Sequence, residues 1–185
     1  MEKLLISACL LGVSCRYDGK SKPVSGIDKL MEKYELIPVC AEIFGGLPTP
    51  RVPAEISGEK VLTKDGKDVT AEYIKGAEEV LRLGKIFGAK KALLKEKSPS
   101  CGSGIIHNGN FDGGLVPGFG KTAALLLENG FEIFGESQID ESCDNKWADN
   151  IRPFLIGQGL PLIRQNLRSC HLYSCGAQNI LRHSP

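Results

Sequence analysis

The chain has 185 residues, of which 42% are hydrophobic and 24% charged, and this balance is ordinary for one soluble domain with a packed core. Its 23 basic and 22 acidic residues leave a formal net charge of +1, so no strong overall field attracts nucleic acid or an anionic membrane. The apolar runs are far shorter than the roughly 20 residues of a membrane-spanning helix, and no signal-like stretch with a cleavage site follows the N-terminus. We therefore expect a cytoplasmic protein that binds no membrane.

The first forty residues predict two strands separated by a loop and a helix. Residues 3–7 (KLLIS) are a short apolar run typical of a buried strand, and residues 12–25 are a loop rich in Gly, Ser, Lys and Asp. Apolar residues recur at helical spacing over 27–34. Residues 36–40 (LIPVC) predict a second strand, and Pro38 within it favours an edge of the sheet or a strand end.

The middle of the chain predicts a long helix after an irregular segment. Residues 44–59 are rich in Gly and Pro, so no helix can run through them. A helix is expected from a cap at Asp68 or Thr70 to about Phe87. Its predicted apolar stripe, facing a sheet, consists of Ala71, Ile74, Ala77, Leu81 and Phe87.

The next fifty residues predict two further strands and a shorter helix. Residues 89–94 read as a third strand that ends in the turn 97–102. Residues 108–114 (NGNFDGG) are typical of a loop or hairpin. A helix over 122–129 is closed by a glycine, and 131–134 predict a fourth strand.

This alternation of strands and helices predicts an α/β fold, a small Rossmann-like parallel sheet of about four strands flanked by helices. Residues 139–185 show no clear periodicity and are expected to form a C-terminal extension, so the predicted domain is 1–138. The role of residues 139–185, and whether they belong to the native protein, stay open at this point.

The seven cysteines are the most unusual feature of the composition. An odd number of cysteines in a cytosolic chain favours thiolates used for chemistry or metal binding over a disulfide framework. Cys9, Cys40 and Cys101 each fall at the end of a predicted strand, the place where parallel sheets bind ligands. The alternative is three buried free thiols that act as small hydrophobic side chains. The remaining four are Cys15, Cys143, Cys170 and Cys175.

Six short segments carry a resemblance to a known family. They are SACLLG at 7–12, CRYDG at 15–19, PVCAE at 38–42, GGLP at 45–48, PR at 50–51 and SPSCG at 98–102. In this order they resemble the small family once known only as DUF523, whose characterised member is a thiouracil desulfidase. The resemblance runs from about residue 3 to about residue 138, and it departs from the family pattern at Ala41, where proline is more frequent.

The resemblance implies a [4Fe-4S] cluster held by three cysteines, with one iron free of protein ligands. Carried over to this sequence, the ligands are Cys9, Cys40 and Cys101. In the family that iron takes the sulfur from a thiocarbonyl substrate, giving an oxo product and sulfide without net redox change. Cys15 is expected to be a pocket-lining thiol, with a fourth cluster ligand as the alternative, because its spacing from Cys9 matches no compact chelate.

Three polar residues are candidates for proton transfer and for orienting water. Glu42 lies two residues beyond Cys40, so in an extended segment both side chains would point to the same face. A carboxylate there could exchange a proton with water or with the leaving base; the alternative is an ordinary solvated Glu. Ser98 and Ser100 flank Pro99, and one of them is expected to orient water or a substrate oxygen, against the alternative of an ordinary turn or cap.

Three charged residues are candidates for substrate binding. Arg16, Asp18 and Arg51 lie in loops at the same predicted edge, where they could read the carbonyl and N–H groups of a uracil-like ring. The alternative is a loop salt bridge.

The function predicted on these grounds is an iron–sulfur-dependent desulfidase that removes sulfur from a thiolated pyrimidine base by hydrolytic, non-redox C–S cleavage. The expected substrate is a small thiolated base or nucleoside; a base within RNA stays open, although the net charge gives it no support. The alternative is a non-catalytic metal-binding or sulfur-carrier module, which the colour and metal content of anaerobically purified protein would distinguish.

Overall fold

The computed structural model describes residues 1–139, and the fold is that of this part of the chain. It contains eight strands and four α-helices, and single 3-10 turns follow β1 and β8. In chain order these elements are β1 (Glu2–Ser7), α1 (Ile27–Lys33), β2 (Tyr34–Val39), α2 (Ala41–Phe44), β3 (Ala54–Ser57), β4 (Lys60–Thr63), α3 (Thr70–Phe87), β5 (Lys91–Leu94), β6 (Ile105–His107), β7 (Leu115–Pro117), α4 (Lys121–Glu128) and β8 (Glu132–Gly135).

Four parallel strands form the central sheet in the order β2-β1-β5-β8, which confirms the predicted α/β fold. The chain first adds β2 on one side of β1 and then crosses to place β5 on the other side. The strand order therefore reverses between β1 and β5, and such a reversal opens a crevice at the carboxyl ends of the strands. Pro38 lies on β2, an edge strand, as its missing N–H requires.

Helices cover both faces of this sheet. Leu5 and Ile133 face α3 and α4, where they pack against Val80 and Leu126. The opposite face packs against Leu30 of α1. Because both faces are buried, β1 and β5 consist of nearly continuous apolar residues instead of alternating ones.

The long helix α3 was predicted in the correct place, but three of the five residues of its predicted apolar stripe were wrong, whereas Ala77 and Leu81 pack inward. Its N-cap is Val69, and the Asp68 carboxylate accepts a hydrogen bond from the Thr70 N–H at 3.0 Å. The side chains of Ala71, Ile74 and Phe87 are exposed. Two glycines on the buried face explain the difference, because helix packing requires close approach there and not bulk. The buried residues are Tyr73, Gly76, Ala77, Val80 and Gly84.

Gly76 is the clearest case of such close approach. A Cβ at Gly76 would lie 1.9 Å from the carbonyl oxygen of Ala41, far inside any real contact. The absence of a side chain at this position therefore lets α3 pack directly on the backbone of α2.

The other predicted strands and helices agree with the structure to within two residues at each end. The one-turn helix α2 and the antiparallel hairpin β3–β4 were not among the predicted elements. Residues 108–114 were expected to form a loop or a hairpin, and they connect β6 to β7 as a hairpin loop. Elements of four residues are too short to show a reliable spacing of apolar residues, so they cannot be predicted from that spacing.

Ile139 is the last described residue, and it packs in the core beside Gly26. The rest of the predicted extension, residues 140–185, lies outside the described part of the chain. No helix within residues 1–139 is long and apolar enough to cross a membrane.

Candidate active site

A cavity of about 410 Å³ opens where the strand order reverses. Its floor comes from the carboxyl ends of three parallel strands and the residues just after them: Ser7 to Cys9 at the end of β1, Cys40 after β2, and Lys95 to Ser98 after β5. The hairpins β3–β4 and β6–β7 supply another wall, which includes Glu55 and His107. Sequence analysis placed the site at this edge because parallel sheets bind ligands there.

Four free cysteines line this cavity: Cys9, Cys15, Cys40 and Cys101. The Cys15 thiol is hydrogen-bonded to the thiols of both Cys9 and Cys40, and the Cys40 Sγ lies 4.0 Å from the Cys15 carbonyl oxygen. Cys101 interacts electrostatically with Cys40. The structure thus brings together the three predicted strand-end thiols, and Cys15 joins them from the loop after β1.

Contacts with other thiols and burial raise the pKa values of Cys15, Cys40 and Cys101. The hydrogen bond with Cys15 raises the pKa of the Cys40 thiol, and burial raises it further. Burial raises the pKa of the Cys101 thiol to about 12. Thiolates gathered in such a place need a strong local positive charge, which a bound metal or an iron–sulfur cluster supplies. The soft, mostly buried donor set therefore fits an iron–sulfur cluster.

Glu42 lines the cavity, although the local structure differs from the predicted extended segment. Cys40 is extended, but Glu42 lies in the first turn of α2. Its carboxylate accepts a hydrogen bond from Arg51 Nε at 2.7 Å and another from Ser98 Oγ at 3.4 Å. The side chain is only 16% exposed, so Glu42 is a held carboxylate and not a solvated one.

Arg51, which was expected to bind the substrate, instead makes hydrogen bonds with other residues of the protein. Its side chain is 7% exposed and forms an ion pair with Glu42. Arg51 Nη2 also donates to the Cys15 carbonyl oxygen at 3.0 Å, and Nη1 donates to the Pro48 carbonyl and the Thr49 hydroxyl. Arg51 therefore connects the Glu42 carboxylate to the loop that carries Cys15.

Tyr73 is a site residue that sequence analysis missed. It lies on the buried face of α3, lines the cavity and forms a hydrogen bond with Glu42. Burial, with the Glu42 charge adding to it, raises the pKa of Tyr73, so its hydroxyl stays protonated and donates to the carboxylate. The residue type alone could have indicated this role, because a buried tyrosine hydroxyl normally requires a hydrogen-bond partner.

The two predicted serines have different environments. Ser98 lines the cavity, donates to Glu42 and accepts hydrogen bonds from the N–H groups of Ser100 and Cys101, both at 3.1 Å. Ser100 is fully buried, and its hydroxyl pairs with that of Thr122 at 2.9 Å. Of these two serines, only Ser98 lines the cavity and forms a hydrogen bond with Glu42.

Arg16 and Asp18 form the loop salt bridge that was the alternative to substrate binding. Arg16 Nε lies 3.2 Å from Asp18 Oδ1, and Nη2 lies 3.3 Å from Oδ2. The Arg16 guanidinium lowers the pKa of the Asp18 carboxyl below its usual range. Arg16 lines the cavity, whereas Asp18 does not.

Within residues 1–139, no group of three or more His, Cys, Asp or Glu side chains is arranged to hold a single metal ion. The cysteines of the predicted extension, Cys143, Cys170 and Cys175, lie outside the described residues.

Comparison with known proteins assigns the chain to a family. The family model described as 2-thiouracil desulfurase matches residues 4–138, which include every cavity-lining cysteine. The chain belongs to the 2-thiouracil desulfurase family. The uncharacterized protein YbbK of Bacillus subtilis (strain 168) is 40% identical over 148 residues, which are 75% of this chain and 98% of YbbK.

A solved structure of this family supports the same placement. The [4Fe-4S]-dependent thiouracil desulfidase TudS is 51% identical to this chain and superposes on it with a TM-score of 0.73. The alignment covers 76% of this chain and 95% of TudS. At this identity, both the fold and the family membership follow.

Proposed function

We propose that this protein is a [4Fe-4S]-dependent desulfidase that removes sulfur from a thiouracil-like base by hydrolytic, non-redox C–S cleavage and releases sulfide. The observation that carries the proposal is the gathering of buried and half-buried thiols beside a held carboxylate in one cavity of a 2-thiouracil desulfurase family member. The thiouracil desulfidase named as TudS is similar in both sequence and structure.

Cys9, Cys40 and Cys101 are the proposed cluster ligands, because each follows a strand of the same sheet and lines the cavity. When bound by three thiolates, the cluster supplies a Lewis-acidic iron with an open position for the substrate sulfur. We assign Cys15 a role beside the cluster, since its carbonyl anchors Arg51 and its thiol contacts Cys9 and Cys40.

Glu42 and Ser98 are the proposed proton-transfer pair. Ser98 Oγ already donates to Glu42, so a water molecule between them would be oriented by the hydroxyl and could lose its proton to the carboxylate. The same carboxylate would then return the proton to the base as the product forms. Arg51 and Tyr73 hold the Glu42 carboxylate in place and so keep it aimed at the cavity.

The substrate is a small thiolated base or nucleoside in this proposal, and the site of action is the cytoplasm. We propose residues 1–138 as the desulfidase domain, because the family match and the cavity both fall within them. A thiolated base within RNA is an alternative that the same chemistry would serve.

The test uses the full chain purified without oxygen. The expected protein is brown, carries roughly four irons per chain, and converts 2-thiouracil or 4-thiouracil to uracil with release of an equal amount of sulfide. A protein that binds a cluster but releases no sulfide from any thiolated pyrimidine would contradict the enzymatic proposal and favour a sulfur carrier. A colourless protein with bound zinc would instead favour a metal-binding module.

A further inference from the structure

The cavity contains two polar groups whose hydrogen-bonding capacity the protein leaves unused. The residues first expected to read the substrate are engaged elsewhere, since Arg16 pairs with Asp18 and Arg51 with Glu42. In contrast, His107 of β6 has a buried Nδ1 without a hydrogen-bond partner in the described part of the chain, and Glu55 of β3 has one carboxylate oxygen, Oε1, that accepts no hydrogen bond there. Together with Phe111 they form what we call the hairpin wall.

Glu55 is anchored by one of its two carboxylate oxygens. Oε2 accepts hydrogen bonds from the N–H groups of Gly109 at 2.9 Å and Phe111 at 3.1 Å. Oε1 accepts no hydrogen bond among the described residues, and His107 Nδ1 lies 4.0 Å from it. Glu55 as a whole is only 8% exposed and its other oxygen is anchored, so Oε1 is an acceptor held in a fixed position at the cavity.

His107 leaves a complementary group without a partner. Its Nδ1 is buried and has no hydrogen-bond partner within residues 1–139, a condition that native proteins rarely tolerate without a reason. Its imidazole carries one N–H donor even when it is neutral. An acceptor and a donor thus lie side by side on one wall of the cavity.

The backbone of the hairpin wall is held rigidly in place. Gly109 has a φ of +85°, and a Cβ there would lie 2.5 Å from the carbonyl oxygen of Ile56, so the loop packs directly on β3. Phe111 has a φ of +57°, which is rare for an aromatic residue, and the hydrogen bond to Glu55 holds it there. Such strain persists mainly where it positions a functional side chain.

We propose that the hairpin wall recognises the imide edge of a pyrimidine ring. Glu55 Oε1 accepts a hydrogen bond from the imide N–H, the His107 ring donates to the adjacent carbonyl oxygen, and Phe111 contacts the ring. This inference rests on the proposed function and specifies its substrate class, a pyrimidine whose imide nitrogen is unsubstituted. In 2-thiouracil and 4-thiouracil the carbon on the other side of the imide N–H carries the sulfur, and it is left for the C–S cleavage.

The first test compares binding of uracil with binding of 3-methyluracil, which lacks the imide N–H. We expect the full-length, cluster-loaded protein to bind uracil at least about 10-fold more tightly in anaerobic calorimetry at millimolar ligand concentrations, because the methylated analogue covers Glu55 Oε1 without pairing it. Absence of uracil binding, or equal affinity for both ligands, would overturn the inference.

A matched pair of variants tests the role of Glu55. Glu55→Gln keeps one oxygen for the Gly109 and Phe111 N–H groups but places an NH2 donor where Oε1 lies. Its preference for uracil over 3-methyluracil should fall to within about 3-fold. Glu59→Gln, an exposed carboxylate in the turn of the same hairpin, should keep the wild-type preference. A Glu55→Gln protein with full preference would contradict the inference.

A second variant tests His107 separately. His107→Leu should weaken uracil and 3-methyluracil by a similar factor of about 10, because both ligands keep the carbonyl oxygen, and should leave their ratio unchanged. Undiminished binding of both ligands would exclude His107. Sulfide release separates this inference from the proposed function: a protein that prefers uracil but never desulfurises a thiopyrimidine refutes only the function, and an active enzyme indifferent to imide methylation refutes only the hairpin wall.

Discussion

At the scale of single residues, the most informative side chain is Arg51. Its alternatives before the structure were a substrate contact and a salt bridge, and the structure places it in an ion pair that also reaches the Cys15 carbonyl. A guanidinium has five N–H donors in a fixed geometry, so it can join three separate groups at once. Residue type therefore predicted that Arg51 belongs to the site, but only its contacts define its role.

The proposed ligand set is tested by cysteine-to-serine substitutions. Cys9→Ser, Cys40→Ser and Cys101→Ser should each lose most of the bound iron, because a cluster left with two protein thiolates is poorly held. Iron and acid-labile sulfide per chain, measured after anaerobic purification, check this expectation. Full iron content in any one of these variants would remove that residue from the ligand set.

Cys15→Ser and Cys143→Ser serve as comparisons for those variants. Cys143→Ser should leave iron content near that of the parent. Cys15→Ser should retain most of the iron if three thiolates hold the cluster, although its loop is packed against Cys9 and Cys40. Complete loss of the cluster in Cys15→Ser would indicate four ligands and contradict the open iron position on which the proposed chemistry depends.

Cluster binding and turnover should separate at Glu42. Glu42→Gln preserves size and leaves every thiol in place, so the visible spectrum and iron content should match those of the parent. Sulfide release from thiouracil, normalised to cluster content, should fall by about 10²–10⁴-fold, which is the usual contribution of general acid–base catalysis. Glu32→Gln, on the exposed side of α1, is the control and should have parental activity. Turnover of Glu42→Gln within a few-fold of the parent would show that another group transfers the proton.

At the scale of elements, the contact between α2 and α3 determines where Glu42 and Tyr73 meet. This contact depends on Gly76, which leaves the Ala41 backbone room to approach. The one-turn helix α2 is too short to be stable by itself. Its position, and with it the direction of the Glu42 side chain, therefore derives from α3.

Gly76→Ala tests this packing, because two effects predict opposite signs. Helix propensity alone would stabilise the protein by up to about 1 kcal/mol. Overpacking against the Ala41 carbonyl should outweigh this gain and lower the free energy of unfolding by about 1–3 kcal/mol. Urea denaturation measures the net effect, and Lys75→Ala, exposed on the same helix, is the control. A more stable Gly76→Ala protein would mean that α2 moves away without cost.

Periodicity and strand-end logic were sufficient to predict the parallel sheet and the convergence of Cys9, Cys40 and Cys101. They failed where a side chain's environment depends on distant backbone, as for the buried face of α3 and for Tyr73. They also could not distinguish Ser98 from Ser100, because that difference arises from Thr122, a residue of the later helix α4. The type of each residue indicated what chemistry its side chain could perform, whereas tertiary contacts determined which side chains line the cavity.

At the scale of the whole molecule, the end of the described chain closes the fold. Lys95, beside the cavity, forms an ion pair with Glu136, and the Glu96 carboxylate accepts a hydrogen bond from the Ser137 N–H at 3.1 Å. Ile139 then packs in the core. These contacts tie residues 136–139 to the proposed desulfidase domain.

Two truncations test the C-terminal limit of the proposed domain. A chain ending at residue 139 should keep parental iron content and a thermal midpoint within a few degrees of the parent, because it retains all of these contacts. A chain ending at residue 134 loses Glu136, Ser137 and Ile139 and should be clearly less stable in thermal unfolding followed by circular dichroism. Equal stability of the two truncated chains would place the boundary earlier.

The arrangement of the sheet also determines how early during synthesis of the chain the proposed cluster site can form. Leu4 of β1 lies opposite Lys91 of β5, so the two central strands meet only after the ribosome has synthesised more than half of the chain. Cys101 emerges later still, followed by β8, which completes the sheet. A nascent chain therefore offers only part of the proposed set of thiols until Cys101 has been translated, and we expect cluster delivery to follow that point.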